Sequence, residues 1–329
     1  MKVLVTGANG QLGMSLRSVL QNPVLLNPAI QNPVILHNPV ILSEAKNLFF
    51  VFTDVNDLDI TDLDAVRKMV KEEGIDAIVN CAGYTNVEGA EDQPELAELL
   101  NAKAVENLAV AMKETGGLLL HISTDYVFGG EVLTSPIKEE QKPAPQGVYA
   151  VTKLHGEEAI QRVDCRHIII RTAWLYSEYG RNFVKTMLRL TAEKPSLKVV
   201  DDQRGTPTYA KDLAKVIVRF LAVEGQVFPR TSALSFESGN TCPSTAEVTD
   251  IYHFTNEGEC TWYEFACAIA ALSGHTGCEI RPCTSAEFPS KVHRPAYSVL
   301  DKGKIQSALG ITIPHWRASL QECLRGMSL

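Results

Sequence analysis

The stretch Met1 to Gly13, MKVLVTGANGQLG, begins with a short apolar run, Val3 to Val5, and passes directly into glycines at positions 7, 10 and 13. A strand that feeds a glycine-rich turn lets the backbone approach a pyrophosphate, which then lies at the positive end of the following helix. The spacing is G-x-x-G-x-x-G rather than the G-x-G-x-x-G of the common dinucleotide fingerprint. Such a turn can be no more than a tight bend. Its place immediately after an N-terminal strand makes the dinucleotide cradle the better reading.

Outward from this stretch, strand and helix alternate, the pattern of a parallel sheet. Phe49 to Thr53 is predicted as the second strand, ending at Asp54, and Asp76 to Cys81 as the third. A helix is expected from Thr61 to about Glu73 and another from Pro94 to about Thr115. Strands follow at Leu118 to Thr124 and Arg166 to Arg171, with the Tyr149 helix between them. Further helices are expected near Asn182 to Ala192 and from Ala210 to Ala222, and Thr261-Trp262-Tyr263-Glu264 reads as a capping box. The fold class is therefore α/β: a Rossmann-type doubly wound parallel sheet with a smaller C-terminal α/β substrate domain. Residues 1–172 form the nucleotide-binding part, to which 208–255 return; 173–207 and 256–329 form the substrate side.

Two stretches interrupt this order. Residues 22–47 include Asn22 to Leu42, NPVLLNPAIQNPVILHNPVIL, an apolar segment with Asn-Pro recurring at Asn22, Asn27, Asn32 and Asn38. Its four prolines remove backbone donors and forbid a regular helix, so an insertion is expected here and not a membrane span. Residues 225–248 are rich in Ser, Thr, Gly and Pro and read as a second inserted loop.

At 329 residues, with 45% hydrophobic and 21% charged side chains, the composition is that of a globular enzyme with ample core. A net charge of −8 without a basic stripe argues against nucleic acid as partner. The eight cysteines form no C-x-x-C pair and follow no signal peptide, which suggests reduced thiols and a cytoplasmic protein. The first apolar run is already the first strand, so no targeting segment is expected.

Tyr149-Ala150-Val151-Thr152-Lys153 places a phenol and an ammonium one helical turn apart on one face. On most helices such a pair is only a solvated neighbourhood. Beside the glycine turn it suggests a proton-transfer device, in which the ammonium favours the phenolate; lowering a tyrosine pKa by roughly 3 units requires about 4 kcal/mol. Ser123 and Thr124 end a buried-looking strand, where ligands of open parallel sheets bind, and supply hydroxyls for a third catalytic group. His121, inside the apolar run, reads as a packed core histidine rather than a catalytic base.

Taken together, the glycine turn, Asn80-Cys81-Ala82-Gly83, Ser123-Thr124 and Tyr149-x-x-x-Lys153 resemble the extended short-chain dehydrogenase/reductases. Within them the chain resembles the dTDP-4-dehydrorhamnose reductase family, through Asp59-Ile60-Thr61-Asp62, Ser123 to Phe128, Arg171 to Tyr176, Asp202 to Thr208 and Arg294 to Ser298. The resemblance implies reduction of the C4 ketone of dTDP-6-deoxy-L-lyxo-4-hexulose to dTDP-L-rhamnose. Thr124, Tyr149 and Lys153 would be the catalytic triad, with Lys153 also holding the cofactor ribose. Gly7, Gly10, Gln11, Leu12 and Gly13 would cradle the cofactor pyrophosphate, Asp59 and Ile60 would lie beside adenine, and Gly83, Tyr84 and Thr85 along the cofactor. Thr85, Thr124, Asp125 and Trp174 would contact the sugar; for Trp174 the competing reading is a core aromatic. Arg294 would neutralise diphosphate or, equally, form a surface ion pair. NADPH and NADH are both implied, and Asp54 favours NADH by repelling a 2′-phosphate. The resemblance further implies a homodimer and, in some members, Mg2+ at the dimer contact, but no metal ligands are legible here. A dehydratase would carry Thr-Asp-Glu where this chain has Thr124-Asp125-Tyr126. An epimerase, or a non-catalytic regulatory subunit of methionine adenosyltransferase type, remains as the alternative.

Overall fold

The computed structural model describes residues 1–21, 48–130, 132–227, 249–288 and 290–327. The Asn-Pro stretch, and the serine- and threonine-rich stretch after residue 227, lie outside the described residues.

Five strands named by the sequence form adjacent parallel members of one sheet. They are β1 (Lys2–Thr6), β2 (Phe49–Phe52), β3 (Ala77–Asn80), β4 (Leu118–Thr124) and β5 (Arg166–Thr172). Beyond them follow β6 (Leu175–Tyr176), β7 (Ser196–Val200), β8 (Arg204–Gly205) and β9 (Thr208–Tyr209). The last three strands are β10 (Thr249–His253), β11 (Cys260–Thr261) and β12 (Glu279–Cys283). The large sheet runs β10-β5-β4-β3-β1-β2, every pair parallel. Its inner strands β1, β3, β4 and β5 are buried on both faces, as parallel sheets require, while the edge strands β2 and β10 are partly exposed. Val3 and Val5 face one core with the helices Gln11–Gln21 and Ala210–Val227, while Leu4 faces the other with Ala104–Thr115. The chain leaves β1 for β2 on one side and returns to β3 on the other, so the crevice between β1 and β3 is the topological switch point.

The helix expected from Pro94 to Thr115 is not continuous. Pro94–Glu98 is followed by a π-helical turn, Leu99–Lys103, before the helix resumes at Ala104–Thr115. A π turn inserts an extra residue and redirects the side chains around it. Here it turns Asn101 inward, where Oδ1 accepts the Tyr84 amide at 2.8 Å and Nδ2 donates to Tyr84 O and Thr152 Oγ1, both at 3.1 Å.

A third core lies on the other side of the site, built from Tyr176, Val184, Tyr209, Phe265 and Trp316 among others. The capping box at Thr261 and Glu264 opens the helix Trp262–Ser273, whose Phe265 and Ile269 enter that core. The strand pair β7–β12, silent in the sequence, belongs to this side. One segment assigned by sequence to the substrate side lies elsewhere: Ile305 and Leu309 of the helix Gly303–Leu309, with Ile311 and Ile313, pack into the first core. Their apolar spacing gives them a buried face, and the large sheet's own core receives it.

Candidate active site

The carboxyl ends of β1 to β5 open into one cavity of about 910 Å³. Its wall includes Gly7, Gly10, Gln11, Leu12, Asp59, Ile60, Gly83, Thr85, Thr124, Asp125, Tyr149, Lys153 and Trp174, all named by the sequence. Three expected residues are not in that wall. Gly13 serves packing instead: a Cβ there would lie 2.6 Å from Gly7 O and from Ala8 Cα. Tyr84 is bound through its backbone to Asn101. Arg294 lines a neighbouring cavity.

The glycine turn is shaped to admit a nucleotide backbone. Gly7 has a left-handed φ of 63°, and a Cβ on it would lie 2.7 Å from the Ala82 amide nitrogen. A Cβ on Gly10 would meet only Gly7 O, at 3.2 Å, so that face of the turn is open. The helix Gln11–Gln21 carries no acidic residue in its first turn, leaving its positive end free to meet an anion. Gln11 Oε1 also accepts hydrogen bonds from Ser177 Oγ at 3.1 Å and Asn182 Nδ2 at 3.0 Å, joining the turn to the substrate side. At the far end, Asp54 Oδ2 accepts the Asn9 amide at 3.0 Å. Asn107 Nδ2 donates to the carbonyls of Ile60 and Thr61, at 3.1 and 2.9 Å, and sets the segment expected beside adenine.

The helix Val148–Val163 carries Tyr149 and Lys153 to the mouth of β4. Tyr149 opens into the cavity and meets Tyr126 edge to face at 5.6 Å between ring centroids. The expectation that Lys153 draws the phenol's pKa down is not met. Burial holds the Tyr149 phenol above its ordinary value; a hydrogen bond with the Thr124 side chain opposes this, and the Asp125 charge and Tyr126 reinforce it. Lys153 does not act on the phenol because its Nζ is turned to the sheet. It donates to Ile122 O at 2.6 Å and lies 3.3 Å from His121 Nε2. Burial draws the Lys153 ammonium down to about 8, with the Glu157 charge resisting. Thr124 Oγ1 donates to Asp125 Oδ1 at 3.1 Å and accepts the Tyr126 amide at 3.2 Å. Burial pushes the Asp125 carboxyl up to about 6, against hydrogen bonds from Ser298 and Thr124. Cys81, at the end of β3, is pushed up to about 12 by burial, so its thiol stays protonated and inert.

Trp174 is one of two non-glycine residues with positive φ among those described, at 47°, and it stacks on Trp262 at 3.6 Å and 13°. Backbone strain of this kind gathers at ligand sites. Trp174 lines the first cavity; Trp262 lines a second, of about 1180 Å³, together with Phe183, Met187 and Phe288. Arg294 reaches Tyr126 Oη and Glu88 Oε1, both at 3.4 Å, so it is at once an ion-pair member and a wall of the second cavity. Sequence reasoning passed over Asn101, Trp262 and the contact of His121 with Lys153. A signal for the last was present: His121 and Ser123 alternate onto one strand face, and Lys153 and Glu157 share one helix face.

The RmlD substrate binding domain family matches residues 1–329. The chain belongs to that family. A dTDP-4-dehydrorhamnose reductase of Streptomyces griseus is 37% identical over 322 residues, which are 97% of this chain and 91% of that protein. The crystal structure of a dTDP-4-dehydrorhamnose reductase from Clostridium acetobutylicum ATCC 824 superposes with a TM-score of 0.81, at 36% identity and full coverage of both chains. A second, from Bacillus anthracis str. Ames in complex with NADP, gives 0.80 at 32% identity, covering 99% of each chain. A nicotinamide cofactor is thus supported, NADP being bound in the second of these structures. Among the described residues, no group of three His, Cys, Asp or Glu side chains is placed to hold a metal ion, and the Mg2+ expectation finds no support. No described helix is long and apolar enough to cross a membrane.

Proposed function

We propose that the chain reduces the C4 ketone of dTDP-6-deoxy-L-lyxo-4-hexulose to dTDP-L-rhamnose with NADH or NADPH. The observation that carries this reading is the convergence of Thr124, Tyr149 and Lys153 on the one cavity that also holds the glycine turn. Gly7, Gly10, Gln11 and Leu12 would hold the cofactor's pyrophosphate and Lys153 its ribose. When bound, the nicotinamide supplies hydride to the ketone carbon. Tyr149, held protonated, gives its proton to the ketone oxygen as that oxygen gains charge. An alkoxide is a stronger base than a phenolate, so a high phenol pKa does not oppose the transfer. Thr124 holds the phenol in place and Trp174 offers a flat face for the deoxyhexose. The nucleotide half of the substrate would extend into the second cavity past Arg294, whose guanidinium meets the diphosphate. Residues 1–172 with 208–255 act as the cofactor part, and 173–207 with most of 256–329 as the sugar-nucleotide part.

Because the ketone substrate is unstable, the test is a coupled assay starting from dTDP-glucose and the preceding enzymes, following NAD(P)H oxidation. Turnover is expected, and Tyr149→Phe should lower kcat by on the order of 10² or more while cofactor affinity stays within about twofold. Undiminished turnover in that variant removes Tyr149 from the mechanism. No turnover in the unaltered protein, with firm binding to a methionine adenosyltransferase, favours the regulatory alternative.

A further inference from the structure

The geometry points to a buried chain, Thr6–Asn80–His121, that fixes the imidazole proton on His121 Nε2 and presents it to Lys153 Nζ, making Asn80 and His121 positioning residues that set the pH at which Lys153 changes charge. Asn80 anchors the argument. Its Oδ1 accepts the Ala82 backbone amide at 3.2 Å and the Thr6 hydroxyl at 2.7 Å. A backbone N–H can only donate, so the Asn80 amide cannot be turned over without setting two donors against each other. Its Nδ2 therefore faces His121 Nδ1, at 3.0 Å. An amide nitrogen also only donates, so Nδ1 must carry the lone pair, and the neutral ring keeps its proton on Nε2. Burial and the Lys153 charge both hold His121 well below its ordinary pKa, in keeping with a ring that stays neutral.

The Nε2 proton then points at Lys153 Nζ across 3.3 Å. Against an ammonium this is donor facing donor; against an amine it is a hydrogen bond. On its other side Nζ donates to Ile122 O at 2.6 Å, which either charge state can do. The remaining charged and titratable groups nearby leave this balance in place. Glu157, one turn on in the same helix, favours the ammonium but is itself held by Arg171 of β5 at 2.6 to 3.2 Å and accepts the Ser123 hydroxyl. Asp125 lies beyond the end of β4, Tyr149 one turn earlier in the helix, and the Cys81 thiol at the end of β3 is protonated. Tuning through His121 rests on the proposed reaction only in its consequence, which is the alkaline fall of kcat/KM as Lys153 loses its proton.

The first test uses the full chain without substrate, with 15N-labelled imidazoles. His121 is expected to show protonated Nε2 and bare Nδ1, with no imidazolium at acid pH where a free histidine is already charged. Its Nε2 resonance is expected to move as pH rises through about 8, where Lys153 titrates, and this movement is expected to vanish in Lys153→Met. A proton on Nδ1, or an Nε2 resonance indifferent to both pH and Lys153→Met, overturns the proposal. In Asn80→Asp, a carboxylate facing Nδ1 is expected to move the proton to that nitrogen and to shift the alkaline limb of kcat/KM upward by about one pH unit. A moved proton with an unmoved limb also overturns it. Loss of all turnover with the imidazole signature intact counts against the proposed reduction and leaves this tautomer standing.

Discussion

At the residue scale, a phenol that burial keeps protonated is suited to delivering a proton to a ketone, and its companion Asp125 shows what such a site costs. The Asp125 carboxyl is raised to about 6, so the folded chain binds its proton more tightly than the unfolded chain does. Its contribution to stability is full at low pH and is lost as pH rises through about 6. Asp125→Asn should therefore stabilise the fold at neutral pH by on the order of 1–2 kcal/mol, seen as a higher Tm at pH 7.5 that narrows toward acid, while kcat/KM for the sugar falls. At the other end of the cavity, Asp54 sets a carboxylate beside Asn9. Removing that charge in Asp54→Asn should raise the ratio of kcat/KM for NADPH over NADH by about tenfold, or about 1.4 kcal/mol of relieved repulsion. An unchanged ratio places the 2′-phosphate elsewhere.

At the scale of elements, β1 and its turn act as one unit. Gly7 combines a left-handed φ with direct contact to the Ala82 backbone, so it needs both the conformational freedom and the missing Cβ. Gly7→Ala should cost about 2–4 kcal/mol of stability, read as a lower denaturation midpoint, and abolish measurable cofactor binding. The strands were legible because a parallel sheet buried on both faces demands unbroken apolar runs, and LLLHIST or HIIIRT can hardly be anything else. The π turn at Leu99–Lys103 left no mark in the sequence. Its residues fit an ordinary helix, and it forms where the Asn101 carbonyl approaches so near Gly156 that a Cβ on that glycine would lie 2.2 Å away. The strand β7, polar at Ser196 and Lys198 and half exposed, was missed because its pairing with β12 spans a long stretch of chain.

At the scale of the whole molecule, the two cores of the large sheet give Leu12 and Ile60 to the first cavity's wall, and the core around Phe265 and Trp316, against which Trp174 packs, bounds it on the substrate side. The stack of Trp174 on Trp262 links the walls of the two cavities. Trp262→Ala should raise KM for the nucleotide sugar by about tenfold or more, with cofactor affinity unchanged in a fluorescence titration of NAD(P)H. Equal losses of both affinities would mean that the aromatic stack holds the two halves together rather than the substrate.

The sequence by itself determined the order of β1 to β5 and of most helices between them, the glycine turn, and the placing of Thr124 at a strand end and of Tyr149 and Lys153 on one helix, because these depend on local periodicity and on residue types that chemistry restricts. Only the tertiary structure decided the electrostatics. Lys153 lies one helical turn from Tyr149 in the chain, yet its nitrogen is bound to Ile122 and faces His121, and the phenol is governed by burial. A pKa responds to every group brought within a few ångströms and to the water that packing removes, and neither is written along the chain.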